Sequence, residues 1–289
     1  MNKYSKIAIV LGLALMCIGF LASAFNFKAL FKPFFNEEAY EKIEYYANAD
    51  VKKLVIETDN EAVKIIPADI TNIKVTYFKN GREDYKLKEL NGVLSLEKND
   101  EICIFCFNFN FKATDVVIEV PRHLALEYNI ETDNAKIEIK EITILNAELD
   151  TSNGSIRLDN INANNLKLKT SNGRITLNTV EAQTIYAKSS NAKIIANNVR
   201  AERLELKTSN GRIECSQLES PYIDLKTSNG KIIGSIVGFG GDYQREITTS
   251  NGHIEIDGIK QGSRIKDGAG NPNKLIVKTS NGGIELDFE

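Results

Sequence analysis

From residue 132 onward the chain repeats one short phrase. It reads TDNAKIEI at Thr132, TSNGSIRL at Thr151, TSNGRITL at Thr170, SSNAKIIA at Ser189, TSNGRIEC at Thr208, TSNGKIIG at Thr227, TSNGHIEI at Thr249 and TSNGGIEL at Thr279. The asparagines stand at 134, 153, 172, 191, 210, 229, 251 and 281, so five consecutive steps are 19 residues, followed by steps of 22 and 30. Self-similarity at a fixed period is the signature of a repeat architecture, in which each unit buries its apolar face only against its neighbours.

Each step also repeats its apolar positions. Leu149, Leu168, Ala187, Leu206 and Leu225 form one column, with Ala147, Leu166, Ile185, Leu204 and Ile223 two residues earlier. After the turn come Ile137, Ile156, Ile175, Ile194, Ile213 and Ile232, and five residues later Ile142, Ile161, Val180, Val199 and Leu218. Alternation of this kind marks strands with one buried face. Two architectures use it. In a hairpin array Asn-Gly is a type I′ turn that sets Leu168 opposite Leu177. In a β-solenoid each unit is one coil, and equivalent residues stack about 4.8 Å apart. Stacked coils demand equal perimeters whereas hairpins tolerate unequal loops, so the constant step predicts the solenoid. The fold class expected is therefore all-β: a β-solenoid, single-stranded, of about 19 residues per coil. The corner pairs Asn153-Gly154, Asn172-Gly173, Asn210-Gly211, Asn229-Gly230, Asn251-Gly252 and Asn281-Gly282 are read as structural turns.

The rest of the chain divides around this array. Residues 1–27 hold an uncharged run, IAIVLGLALMCIGFLASAFNF over 7–27, long enough to cross a bilayer of about 30 Å as one N-terminal transmembrane helix. Ala22-Ser23-Ala24 offers the rival reading, a signal peptide cleaved near Ala24. Either way the expectation is export: a single pass in a bacterial cell membrane with the C-terminal part outside, or secretion. Residues 28–50 read as a juxtamembrane linker with room for one short helix. Residues 51–120 read as an N-terminal β cap, because the end of a solenoid is an exposed sheet edge that must be covered. KLVIETDNEAVKII within it looks like a degenerate first repeat around Asn60. Residues 121–289 are the repeat domain, in which DGIKQGSRIKDGAGNPNKL reads as a loop or irregular coil and the acidic tail ELDFE as a guard against edge pairing.

A net charge of -3 gives no global basic field, which argues against nucleic acid as a partner. No catalytic set is legible: the only histidines, His123 and His253, lie in non-repeating contexts, and repeat carboxylates such as Glu205 and Glu214 occupy outward strand positions. No metal site and no cofactor are expected. Cys103 and Cys106 sit three apart on a strand-like stretch and so face opposite ways, and Cys215 fills a slot that other copies give to Leu, Ile or Ala.

One candidate surface flanks the turn. Lys169, Lys188, Lys207 and Lys226 stand three residues before the corner Asn; Arg174, Lys193, Arg212 and Lys231 stand two after it. Stacking sets like charges about 5 Å apart, which is repulsive unless anions intervene. The double stripe is therefore a candidate site for an anionic envelope polymer. The plainer reading is that these cations solvate the strands and pair with Glu or Asp of neighbouring columns.

The basic apolar N-terminus, the VVIEVP strand, the serial TSNGxI units and the closing GAGNPNKLIVKTSNGGIEL together resemble the bacterial putative-adhesin domain of unknown function, the family of the LiaG-like cell-envelope proteins. The resemblance covers about residues 40–289. It implies a β-solenoid at a bacterial envelope with a structural or interaction role, and it brings no catalytic or ligand residues. An accessory protein of a membrane sensor system, binding a protein partner through the solenoid, is the alternative.

Overall fold

A computed structural model describes residues 40–79, 85–98 and 115–289. The apolar run 7–27 and the Cys103–Cys106 pair lie outside the described residues. The strands are β1 (Glu41–Tyr46), β2 (Lys53–Thr58), β3 (Val63–Ala68), β4 (Lys74–Lys79), β5 (Tyr85–Leu90), β6 (Val93–Lys98), β7 (Val116–Pro121), β8 (Leu126–Thr132), β9 (Ile137–Lys140) and β10 (Thr143–Thr151). Three strands of 15 residues follow: β11 (Ile156–Thr170), β12 (Ile175–Ser189) and β13 (Ile194–Thr208). Then come β14 (Ile213–Glu219), β15 (Tyr222–Lys226), β16 (Ile232–Ile236), β17 (Tyr243–Thr249), β18 (Ile254–Ile256), β19 (Ile259–Gln261), β20 (Arg264–Asp267), β21 (Asn273–Thr279) and β22 (Ile284–Phe288).

The pairing is that of stacked coils. β11, β12 and β13 run parallel, with Ile156 beside Ile175 beside Ile194 and Leu168 beside Ala187 beside Leu206, each 19 residues apart. Leu168 does not face Leu177 across the turn; Leu177 lies between Leu158 and Ala196 of adjacent coils. Within one coil Ile175, Leu177, Val180, Ala182, Ile185 and Ala187 are buried. Those positions advance by two along a side and by three at two bends, so the coil has three sides, the third bend being the Ser-Asn-Gly corner. The first bend is made by a residue with positive φ in every regular coil: Glu141, Asn160, Thr179, Asn198 and Gln217, all at 52–55°. Each fully buried Ile or Leu stabilises the stack by roughly 1.5–3 kcal/mol.

The stack begins before residue 121. β2 and β3 lie parallel to β8 and β9, so the segment around Asn60 is itself the first coil of the TSNG kind. β6 and β7 add one more parallel layer on β2 and β3, and β5, β4 and β1 close it with antiparallel pairs. Residues 41–46, read from sequence as linker, thus form a strand: Ile43 and Tyr45 alternate towards the core while charged neighbours face out.

The other end departs from sequence order. β21 and β22 pair with β15 and β16 on one side and with β17 and β18 on the other. The coil of Asn281 therefore sits between those of Asn229 and Asn251, and the tail expected to guard an edge is an interior strand whose Ile284 and Leu286 are 0% and 1% exposed. The reason lies in the preceding segment. Read as loop, it forms β19 and β20, which pair antiparallel with β18 and β17 and occupy their outer edges. A coil with blocked edges fits only at the end of a stack, so the unencumbered last coil takes the interior place.

Candidate functional site

The corner shows what each letter of TSNG does. The Thr is buried, and its hydroxyl joins two coils: Thr170 Oγ1 donates to the Gly154 carbonyl at 3.1 Å and accepts from the Gly173 N–H at 2.9 Å. Thr208 and Thr227 repeat the arrangement. The Asn side chains form a ladder in which each amide donates to the Asn of the coil before, Asn172 to Asn153 at 2.7 Å and Asn191 to Asn172 at 2.7 Å. It runs unbroken from Asn60 through Asn134 and on to Asn229, Asn281 and Asn251. The Gly is there for space, not for φ. A Cβ on Gly173 would lie 1.5 Å from the Gly154 carbonyl oxygen, and on Gly154 it would lie 1.6 Å from that of Ala135. Asn-Gly and Asp-Gly turns of the hairpin kind do occur in this chain, but elsewhere: Asn91-Gly92 (φ 52° and 75°) joins β5 to β6, and Asp257-Gly258 (φ 52° and 73°) joins β18 to β19.

The cation columns flank this corner as the sequence indicated, with Lys169, Lys188, Lys207 and Lys226 in successive rungs. Most are compensated. Lys169 lies 3.3 Å from Glu148, Lys207 2.5 Å from Glu205, Lys226 2.8 Å from Asp224, Lys193 3.0 Å from Glu214 and Arg212 3.3 Å from Glu214, while Lys231 pairs with Glu285. Lys207 also sits 5.4 Å over the Tyr186 ring. Glu214 is held below its usual range, first by the hydrogen bond from Lys193. Glu205, whose pKa burial alone would raise, is brought down by Lys207 and Arg203. Lys188 and Arg174 form no ion pair among the described residues.

Arg174 opens onto a shallow depression of about 500 Å³ beside the corner. Lys136, Arg157 and Lys193 line it with Arg174, and Asn172 and Thr176 supply polar contacts; Glu138, Asp159 and Glu214 pair with Lys136, Arg157 and Lys193 from outside the lining. Lys136 and Arg157 were outside the sequence-read columns: Lys136 occupies the Arg174 slot in a coil written TDNAK, and Arg157 stands two residues after that slot. Both could have been read from the same alignment. Cys215 is core, as its column indicates, and burial pushes its thiol up to about 12.

Fold and surface together define a class: a β-solenoid-like stack of three-sided coils with a hydrogen-bonded corner ladder and basic residues on either side of it. The chain belongs to the Toastrack DUF4097 family, which matches residues 51–287. Curated proteins offer no match. Similar solved structures include an adhesin described as putative from Parabacteroides merdae, at 11% identity and a TM-score of 0.42 over 86% of this chain and 97% of that one. Another, from Bacteroides fragilis and described in the same words, has 13% identity and a TM-score of 0.39, covering 88% and 98%. A third, described as a putative cell adhesion protein from Clostridium sporogenes, has 10% identity and a TM-score of 0.33, covering 87% and 100%.

Proposed function

We propose that this chain is a non-enzymatic interaction module of a bacterial cell surface, tethered through residues 7–27, which binds an anionic envelope polymer at the basic corner. The observation that carries the reading is the depression lined by four cations, in which Lys136, Arg157 and Lys193 are paired with Glu138, Asp159 and Glu214 while Arg174 has no ion pair among the described residues. Closely spaced cations repel each other, and a polymer carrying an anion at regular intervals relieves that repulsion along several rungs at once. Of the eight cations in the two columns, six have acidic partners, which leaves Arg174 and Lys188, and of these Arg174 opens onto the depression.

The test is co-sedimentation of the full chain with purified bacterial cell walls, and retention by polyphosphate, at low and high salt. Binding that weakens with salt and falls at least tenfold in Arg174→Glu/Lys193→Glu is expected. Equal binding by the variant and the parent chain, or none at low salt, would overturn the reading.

A further inference from the structure

The second and third sides of the coil carry a different surface. Between the positive-φ bend and the side that follows it runs a trough of about 730 Å³ spanning five coils, from Glu141-Ile142-Thr143 to Gln217. A second hollow of about 580 Å³ adjoins it and shares Asn162, Glu181, Arg200 and Glu219 with it. Both volumes fall within the range of about 300–1,000 Å³ usual for ligand sites.

Its uncharged polar lining is made of amides and hydroxyls, with Arg122 and Glu141 among its charged residues. Asn160, Thr179, Asn198 and Gln217 stand along the bend; Asn162, Asn164 and Gln183 stand on the side beyond it. Amides and hydroxyls both donate and accept, which suits a ligand made of hydroxyl groups that also do both. Arg200 holds one oxygen of Glu219 in the next coil through Nε at 3.0 Å and Nη2 at 2.6 Å. Glu181, in the rung beside Arg200, is exposed and has no ion-pair partner among the described residues. The shared wall thus holds two carboxylates to one guanidinium, which disfavours the polyanion proposed for the corner. Beneath lie Ala163, Ala182 and Ala201, small residues that keep the floor low, and Val237, 38% exposed, offers apolar contact where the two hollows meet.

The repeat supplies the last element. Equivalent residues recur at the rung spacing of about 4.8 Å, close to the length that one pyranose adds to an extended glycan chain. We infer that this trough binds an uncharged, hydroxyl-rich polysaccharide lying along the stack, with successive sugar rings facing successive coils. This site is separate from the basic corner, and neither depends on the other.

Affinity electrophoresis of the full chain through gels containing barley β-glucan, hydroxyethyl cellulose, galactomannan or dextran tests it, with polyphosphate and polylysine gels alongside. The expected result is retardation by at least one of the four neutral polysaccharides that persists at high salt. It should weaken at least tenfold in Asn162→Ala/Glu181→Ala/Arg200→Ala and in the filling variant Asn162→Arg, and be unchanged in Arg174→Glu/Lys193→Glu. All altered residues of the trough are exposed, so matching thermal melts certify the fold. Passage through all four neutral gels without retardation overturns the inference. Retardation that both trough variants retain, or an interaction confined to polylysine, overturns it equally. Loss of polyphosphate binding in the corner variant reports on the corner alone.

Discussion

The side-chain amide of Asn172 donates a 2.7 Å hydrogen bond to the side-chain oxygen of Asn153, one coil away and 19 residues earlier in the chain. Asn172 also accepts from Asn191, so an interior Asn takes part in two such bonds whereas the terminal Asn251 takes part in one.

That difference is measurable. With each bond contributing about 0.5–1.5 kcal/mol net, Asn172→Ala should lower unfolding free energy by about twice as much as Asn251→Ala in urea titrations. Equal losses would mean that the ladder follows the stack rather than supporting it.

Thr170 serves two buried backbone groups with one hydroxyl. Thr170→Val keeps the shape and removes both bonds, leaving an N–H and a carbonyl without partners. A loss of about 1–3 kcal/mol is expected, larger than for substitution of the exposed Ser171.

Thr179 occupies the left-handed region at φ 52°, where a β-branched residue is strained and Asn is favoured. Thr179→Asn should therefore raise the urea midpoint, by about 1 kcal/mol of stability, and bring this coil into line with Asn160 and Asn198.

Glu138 sets an acid limit. Burial alone would raise its carboxyl, but the ammonium groups of Lys136 and Lys140 outweigh that effect and hold it at about 2, against 4.5 for the free group. A carboxyl depressed in the folded state contributes stability that is fully present above pH 4.5 and is lost as pH falls towards 2. Glu138→Gln should be less stable than the parent at pH 7, and the gap should close across that window. A gap constant from pH 7 to pH 2 would assign the effect to packing.

Order in the stack gives a fifth test. Removing residues 273–289 takes out an interior coil, β21 and β22, and strips β17 and β18 of their parallel partners. The truncated chain should lose protection from limited proteolysis throughout residues 240–272. In a stack ordered as the sequence is, the same cut would only trim the end.

Much of this was legible in the repeat. The inward columns through Ile175, Val180 and Leu168 follow from strand alternation, and the 19-residue step separates coils from hairpins because only stacked coils need equal perimeters. The first bend was less visible, since Glu141, Asn160, Thr179, Asn198 and Gln217 share a conformation without sharing a side chain. Arg157 escaped the basic columns because it sits two residues beyond the slot that Arg174 fills. The polar trough was also illegible, as its wall draws two or three residues from each of five coils, and no single stretch of chain carries the pattern.

By itself, then, the sequence determined the coil: its length, its buried columns, and a corner in which a hydroxyl, an amide and a glycine or alanine each have one place. These are local or strictly periodic properties, set by side-chain alternation and by the space available between rungs. Tertiary structure decided the rest. It placed the coil of Asn281 between those of Asn229 and Asn251, because β19 and β20 block the edges of the coil that precedes it in the chain. It also decided which cations stay uncompensated, because Lys169 and Lys207 find carboxylates in neighbouring columns while Arg174 does not. The coil order depends on pairings between strands far apart in sequence, and the compensation on whether a carboxylate stands at a neighbouring position of the same or the adjacent coil, as for Lys207 and Lys169; periodicity alone assigns neither.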